Sequence, residues 1–298
     1  MKTDKDDTNL EIIIPVKDRH EIRQCVQSLN STEITKIIVC DGGSTDIECL
    51  ESLQAIKQDI ELINIPMPGF NKSRLINKGI EQASCEFILI SDADIIWNQA
   101  AIDALLYKVK SDDNIICCIQ DVEESNPSSV ALKRDRYTYN IIQDLDLKIE
   151  ILPDLDQTSD RRPGCGIICA IRNTLIALGG YKEFFQGWGW EDQDLLIRAK
   201  LCGINICASG KIIHISHDDT TRNRYYNNIA PHLTRNKNII LCMNSLAQGI
   251  LWGDLQIETF VKPTQKKIQV HLPESLNYDS DQHSKRTAKP PRTLRKEK

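Results

Sequence analysis

Leu10-Glu11-Ile12-Ile13-Ile14-Pro15-Val16-Lys17-Asp18-Arg19 runs from an apolar stretch of strand length straight into a cluster of charge. A short apolar run bounded in this way reads as a buried strand. Immediately after it, Ile22, Cys25, Val26 and Leu29 recur at helical spacing within Asp18 to Leu29, and Asp18 stands where a helix cap belongs. The same pair of patterns repeats. Lys36 to Cys40 is a second buried run, turned by Asp41-Gly42-Gly43-Ser44 and followed by a helix over Asp46 to Lys57. A strand over Ile60 to Ile65, a helix over Asn71 to Ala83 and a strand over Phe87 to Ser91 continue it. Strands and helices alternating like this predict an α/β fold with a mostly parallel central sheet flanked by helices. Ligands of such sheets bind beyond the carboxyl ends of the strands. Three polar clusters fall there: Lys17-Asp18-Arg19, Asp41-Gly42-Gly43 and Asp92-Ala93-Asp94.

Farther along, Asp121 to Arg162 is polar and irregular, and predicts a loop-rich insertion that shapes acceptor binding. Gly166 to Ile171 reads as a strand, Asn173 to Leu178 as a short helix and Glu191 to Leu201 as a helix. Lys211 to Ser216 alternates like a strand running into a loop. Asn223 to Asn244 reads as a helix that Pro231 starts or kinks, and Leu251 to Leu272 as two short strands. Polarity, prolines and basic residues from Pro273 onward predict a disordered tail.

Composition narrows the class. With 298 residues, 41% hydrophobic and 27% charged, the chain has the make-up of a globular protein with a sizeable core. A net charge of −5 speaks against a surface devoted to nucleic acid, so no nucleic-acid partner is expected. The eleven cysteines are scattered, several within apolar runs, which fits reduced thiols rather than a disulfide framework. No Cys-x-x-Cys pair supports a structural zinc. Met1 to Asn9 lacks an apolar leader, and no stretch has the length of a membrane span. A cytoplasmic protein is the expectation. Lys285 to Lys298 is rich in Lys and Arg, and a weak peripheral contact with an anionic membrane face is the sharper reading of that tail.

Three constellations carry chemistry. Gly187-Trp188-Gly189-Trp190-Glu191-Asp192-Gln193-Asp194 joins glycines that permit a tight turn to tryptophans whose flat faces suit sugar rings. Its adjacent carboxylates open a helix, where free N–H groups favour the ionised form and a carboxylate can take a proton from a sugar hydroxyl. Asp92-Ala93-Asp94 ends a strand with hard oxygen ligands suited to Mg²⁺ or Mn²⁺. His214-Ile215-Ser216-His217 adds two imidazoles, although strand alternation does not require them to face the same way. Mixed oxygen and nitrogen ligation favours Mn²⁺.

Taken in order, Pro15 to Arg19, Cys40 to Asp46, Asp92 to Asp94 and Gly187 to Asp194 resemble the family 2 glycosyltransferases and the related β-1,4-galactosyltransferase and chondroitin-polymerase-like GT-A domains. The resemblance implies a GT-A domain over residues 10–246, with a flexible N-terminus at 1–9, a small extension at 247–273 and a basic disordered tail at 274–298. It implies a metal-dependent hexosyltransferase that moves sugar from a nucleotide-diphosphate donor, UDP by the match at Asp41, to a glycan or other hydroxyl acceptor with inversion. Pro15, Lys17 and Arg19 match the segment that contacts the nucleotide, and Lys72 and Arg74 lie in a stretch near the diphosphate. Asp92 and Ala93 belong to the metal-and-ribose triplet, whose Asp94 is the direct ligand. His217 matches the downstream ligand and His214 a second one found in some relatives. Trp188 matches the wall between donor and acceptor, Glu191 a sugar-hydroxyl acceptor and Asp192 the catalytic base. Two features depart from the pattern: the Asp41 turn carries two glycines, and position 190 is Trp where the galactosyltransferases have Gly. A nucleotidyl transferase would instead need a Gly-rich loop after the first strand. A retaining transferase and a non-catalytic sugar-nucleotide binder stay open.

Overall fold

The computed structural model describes residues 9–143, 146–154, 161–227, 229–255 and 268–277. The first half follows the expected alternation: β1 (Leu10–Val16), α1 (Ile22–Ser28), β2 (Ile34–Asp41), α2 (Ile47–Gln54), β3 (Ile60–Asn64), α3 (Lys72–Gln82) and β4 (Phe87–Ile90). Next come β5 (Ile95–Ile96), α4 (Gln99–Ser111), β6 (Ile115–Glu124), β7 (Arg136–Gln143), β8 (Leu147–Asp154), β9 (Arg161–Ile171) and α5 (Arg172–Ala177). The remainder is α6 (Glu191–Leu201), β10 (Asn205–His214), α7 (Asp219–Arg222), α8 (Pro231–Ala247), β11 (Gln269–His271) and α9 (Glu274–Asn277).

The main sheet has the order β3-β2-β1-β4-β9-β6-β10-β5, and a smaller one the order β11-β8-β7. β1 pairs in parallel with β2 and β4, and β6 with β10. β9 is antiparallel to both β4 and β6, so it stitches two parallel halves into one sheet. Each face of β1 then meets a different core. Leu10, Ile12, Ile14 and Val16 pack with α1 and α4, whereas Ile13 packs with Leu75, Ile76 and Ile80 of α3 and with Leu195 and Leu196 of α6. This is the period-two alternation of a strand buried on both sides. Helix α3 lies very close: a Cβ on Gly79 would stand 2.4 Å from Ile13 Cγ2.

Several expectations are corrected. Asp18 caps no helix: its backbone is left-handed (φ 50°), and its carboxylate accepts from Thr45 N (2.6 Å) and Asp46 N (2.8 Å), tying the β1 and β2 loops together. Asp121 to Arg162 is not loop-rich. It holds the end of β6, a 3-10 turn at Val130–Lys133, the β7–β8 pair and the first residues of β9. Tyr137, Tyr139, Ile141, Ile149 and Ile151 turn one face of that pair onto α8, Ile197 and Trp190, which is why it folds as sheet. Helix α8 begins at Pro231 itself, a position that wants no N–H partner. Of the two strands expected within Leu251 to Leu272, β11 is the strand among the described residues. Apart from Asn9 and residues 274–277, the expected flexible N-terminus and basic tail lie outside the described residues. Among those described, no helix is long and apolar enough to cross a membrane.

One buried ion cluster anchors α6. Asp194 is fully buried and receives Arg198 Nε (2.7 Å) and Lys182 Nζ (3.0 Å). Arg198 also donates to the carbonyls of Leu178 and Gly180 (both 2.8 Å), and Lys182 to Ser245 Oγ (2.9 Å) and Ile250 O (3.0 Å). Burial alone would raise the Asp194 pKa, but the two cations outweigh it and hold it below the ordinary range. Removing one partner from such a cluster strands an uncompensated charge, so Asp194→Ala is expected to lower the unfolding free energy in urea by about 3–5 kcal/mol.

Candidate active site

The loops at the carboxyl ends of β1 and β4 open onto a cavity of about 420 Å³, together with the Gly187–Gln193 turn and the start of α7. Of the candidate site residues, Pro15, Lys17, Arg19, Lys72, Asp92, Ala93, Asp94, Trp188, Glu191, Asp192, His214 and His217 all line it. Asp41 and Arg74 do not. The Asp41 carboxylate is engaged by Ser44, through its N–H at 2.9 Å and its hydroxyl at 2.6 Å, and Arg74 is exposed on α3. Lys17 reaches the cavity, yet its ammonium donates to the carbonyls of Gly42 (2.9 Å), Met67 (2.6 Å) and Gly69 (3.0 Å). Its three protons are therefore engaged in holding loops together.

Both histidines face Asp94. The β5–β10 pairing sets His214 opposite Ile95, and Ile215 N donates to Asp94 O (2.8 Å), so the end of β10 is tied to the aspartate. Nε2 of His214 and Nε2 of His217 each lie 3.4 Å from Asp94 Oδ2. Their other ring nitrogens settle the tautomers. His214 Nδ1 lies 2.7 Å from Glu124 Oε2, and His217 Nδ1 lies 2.8 Å from the Asp218 carbonyl. Burial raises the Glu124 pKa, but His214, Arg162 and Ser216 bring it down to about 2, so Glu124 can only accept. With each Nδ1–H donating outward, the Nε2 atoms of the two rings and a carboxylate oxygen converge. These ligand atoms lie within 4.8 Å of one another. Asp94 Oδ1 is buried and has no hydrogen-bond partner among the described residues, while Arg19 pairs with Oδ2. Burial would raise Asp94, but Arg19 and the two imidazoles hold it well below the ordinary range. The donor set fits a divalent cation with mixed nitrogen and oxygen ligation, and the Glu124–His214 contact orients that ligand.

Lys72 links the acid pair to the neighbouring Asp92. Lys72 Nζ is 2.7 Å from Asp92 Oδ1 and 3.7 Å from Glu191 Oε1. Burial lowers the Lys72 pKa, but Asp92, Glu191 and Asp192 more than reverse it and keep the ammonium charged. The carboxylates are presented by a left-handed turn. Gly187, Gly189 and Trp190 have φ of 73°, 95° and 81°, and a Cβ on Gly187 would stand 2.6 Å from Thr234 Cγ2. Thr234 and Asn238 of α8 hold the turn from behind, with Asn238 Nδ2 donating to the carbonyls of Gln186 (3.1 Å) and Gly189 (2.8 Å). Trp190 is 5% exposed, so most of its ring belongs to the core rather than to a sugar-facing wall. Trp188 is more open, and the guanidiniums of Arg134 and Arg222 stack over it at 4.8 and 5.2 Å from the ring centroid.

Sequence patterning missed several lining groups. Gly166 leaves room for the acid pair: a Cβ there would stand 2.8 Å from Asp192 Oδ2. Cys165 Sγ is 3.5 Å from the same oxygen. Tyr225 donates its hydroxyl to Asp18 and Tyr226 to the Phe70 carbonyl, drawing the residues after His217 over the cavity. None of these residues sits in a motif; only their positions in the fold bring them in.

Comparison with known proteins decides the family. The model of glycosyl transferase family 2 matches residues 11–166, just over half of the chain. The chain belongs to that family. The galactosyltransferase model described as its N-terminal domain matches residues 153–218 of this family 2 chain. Chondroitin sulfate synthase 3 of Mus musculus is 24% identical over 228 residues, covering 70% of this chain and 24% of that protein. Chondroitin synthase of Pasteurella multocida is 23% identical over 236 residues, covering 69% and 24%. The chain thus spans about a quarter of the length of these curated relatives. Among solved structures, GalNAc-T7 with UDP, GalNAc and Mn²⁺ superposes with a TM-score of 0.52 at 15% identity, covering 81% of this chain and 48% of that one. The architecture is the GT-A fold.

The helix start does not keep both acids ionised, as the sequence reading expected. Burial, reinforced by the Asp192 charge and only partly offset by Lys72, pushes Glu191 up to about 7. The folded chain therefore holds a proton that the unfolded chain releases at the ordinary 4.5. That stability is complete below 4.5 and is lost as pH rises through about 7. His214, also raised despite its burial because Asp94 and Glu124 favour the charged ring, acts in the same direction. Unfolding free energy in urea is expected to fall between about pH 5 and about pH 8, with Glu191→Gln removing part of the slope.

Proposed function

We propose that the chain is a metal-dependent, inverting glycosyltransferase that takes sugar from a nucleotide-diphosphate donor, a UDP-sugar by its resemblances, to a hydroxyl of a glycan or glycoconjugate. One observation carries this reading: the Asp94–His214–His217 cluster and the Glu191–Asp192 pair line the same cavity, and Lys72 bridges Asp92 to Glu191. Asp94, His214 and His217 would hold the cation, Mn²⁺ in preference to Mg²⁺. When bound, it supplies positive charge against the diphosphate that leaves with the nucleotide.

The residues of the chain have complementary tasks. Asp192 takes the proton of the acceptor hydroxyl as that oxygen attacks the anomeric carbon. Glu191, protonated up to about neutral pH, donates to or accepts from a sugar hydroxyl and orients the ring. Lys72 and Arg19 add fixed positive charge beside Asp92 and Asp94, on the side where the donor phosphates would lie. Charge of this kind favours the transition state over the ground state when negative charge grows on the leaving group. Pro15, Ala93 and Trp188 shape the donor side. Support for UDP comes from the resemblance at Asp41 and from the UDP bound in GalNAc-T7. Neither Asp41 nor Gly42 and Gly43 lines the cavity, and Ser44 engages the Asp41 carboxylate, so the support at Asp41 comes from the resemblance alone.

Asp192→Asn is expected to abolish transfer while leaving binding of the nucleotide within about twofold, and wild-type turnover in that variant would remove Asp192 as base. EDTA is expected to reduce transfer by on the order of 10²-fold or more, with Mn²⁺ restoring it; full activity in chelated protein would remove the metal. NMR of the product anomer checks inversion.

A further inference from the structure

Beyond Lys72 and Arg19, the cavity has an arginine side that reaches the histidine cluster through the Arg162–Glu124–His214 contacts. Arg134 from the turn before β7, Arg136 at the start of β7, Arg162 at the start of β9 and Arg222 at the end of α7 all line it. Among the described residues they share few counter-charges. Arg162 Nε donates to Glu124 (3.0 Å), Arg134 pairs with Asp219, and Arg222 reaches the same Asp219 only at 3.8 Å. Asp135 and Asp154 also line the cavity. The side chains of Arg134 and Arg222 are only 15% and 11% exposed. Among the described residues, Nε and Nη2 of Arg136 and Nε of Arg222 are buried without a hydrogen-bond partner.

Such crowding is unfavourable unless something negative enters it. Burial, then the charges of Arg222 and Arg162, push Arg134 down to about 9. Burial, with Arg162 and Arg19 adding to it against Asp94, pushes Arg222 down to about 10. Both remain cations at neutral pH, and buried cations with unmet donors are costly. Stacking of Arg134 and Arg222 over Trp188 fixes the planes of their forks, the geometry that a planar or tetrahedral oxyanion meets with paired hydrogen bonds. The position matters as well. Arg162 lies three residues before Cys165 on β9, and Cys165 touches the proposed base Asp192. Arg136 and Arg162 come from the β7–β9 segment, whereas the cations beside Asp92 and Asp94 come from the β1 loop and α3.

We propose that this arginine side binds an anionic group of the acceptor, a carboxylate or a sulfate or phosphate ester, and so directs transfer to an acidic acceptor. The proposal rests on the glycosyl-transfer reading for the word acceptor, but the anion site is tested without it. Calorimetry and ligand-observed NMR would follow sulfate, methyl β-glucuronide and methyl β-glucoside on the full chain, alone and loaded with UDP and Mn²⁺. The expected result is saturable binding of sulfate and of the glucuronide to the loaded protein, at least tenfold tighter than the glucoside. Arg136→Gln and Arg136→Ala, each shown folded by circular dichroism, should weaken that binding about tenfold and leave UDP affinity unchanged. No saturable anion binding, or equal binding of glucuronide and glucoside, overturns the proposal. So does displacement of UDP by sulfate together with weaker UDP binding in the two variants, because the arginines would then serve the donor phosphates. Failure of UDP to bind with Mn²⁺ would sink the glycosyl-transfer reading instead, and the sulfate arm on the unloaded protein still decides whether the anion site exists.

Discussion

Asp194 sits without solvent contact between Arg198 and Lys182, and the geometry of the cavity descends from that contact. The carboxylate is in the first turn of α6, two residues past Asp192, so whatever fixes Asp194 also fixes the acid pair. Through its two cations it reaches the turn at Leu178–Gly180 and the end of α8 at Ser245. Helix α8 in turn holds the Gly187–Trp190 turn through Thr234 and Asn238. A helix start with three left-handed residues just before it is not stable by local preference. It persists because it is held from below by a buried ion cluster and from behind by a packed helix.

The charges within the cavity are arranged by the same logic. Carboxylates crowd around Lys72, and the structure divides them by environment. Asp92 has the direct ion pair, while Glu191, more deeply desolvated, holds a proton to near neutrality. Asp94 goes the other way, kept ionised by Arg19 and two imidazoles. Neighbouring acids pushed in opposite directions can play different parts in one reaction.

The arginines stand close to the converging acceptor atoms, so charge of both signs meets within one cavity. The antiparallel strand β9 ties the acid pair to the histidine cluster. Its Cys165 and Gly166 meet Asp192, and its Arg162 joins Glu124, which in turn orients His214. One strand running against its neighbours β4 and β6 thus connects the candidate metal ligands to the candidate base.

How much of this was written in the chain itself differs from element to element. Period-two runs from β1 to β4, the strand-end clusters at Asp92–Asp94 and the glycine-tryptophan turn before Glu191 were legible because each is a local pattern with a local cause. The β7–β8 pair was misread although Tyr137, Tyr139 and Ile141 alternate, because polar neighbours dilute the pattern and its apolar partner, α8, lies about a hundred residues away in sequence. Arg134, Arg162 and Arg222 carry no motif, and Lys17 reads as a nucleotide contact until three carbonyls claim its protons. By itself, then, the sequence determined the strands, the helices and which side chains could do chemistry. Only the tertiary structure decided which of them share a cavity, which are already engaged and which hold a proton, since those properties depend on burial and on charges brought close by packing rather than by chain order.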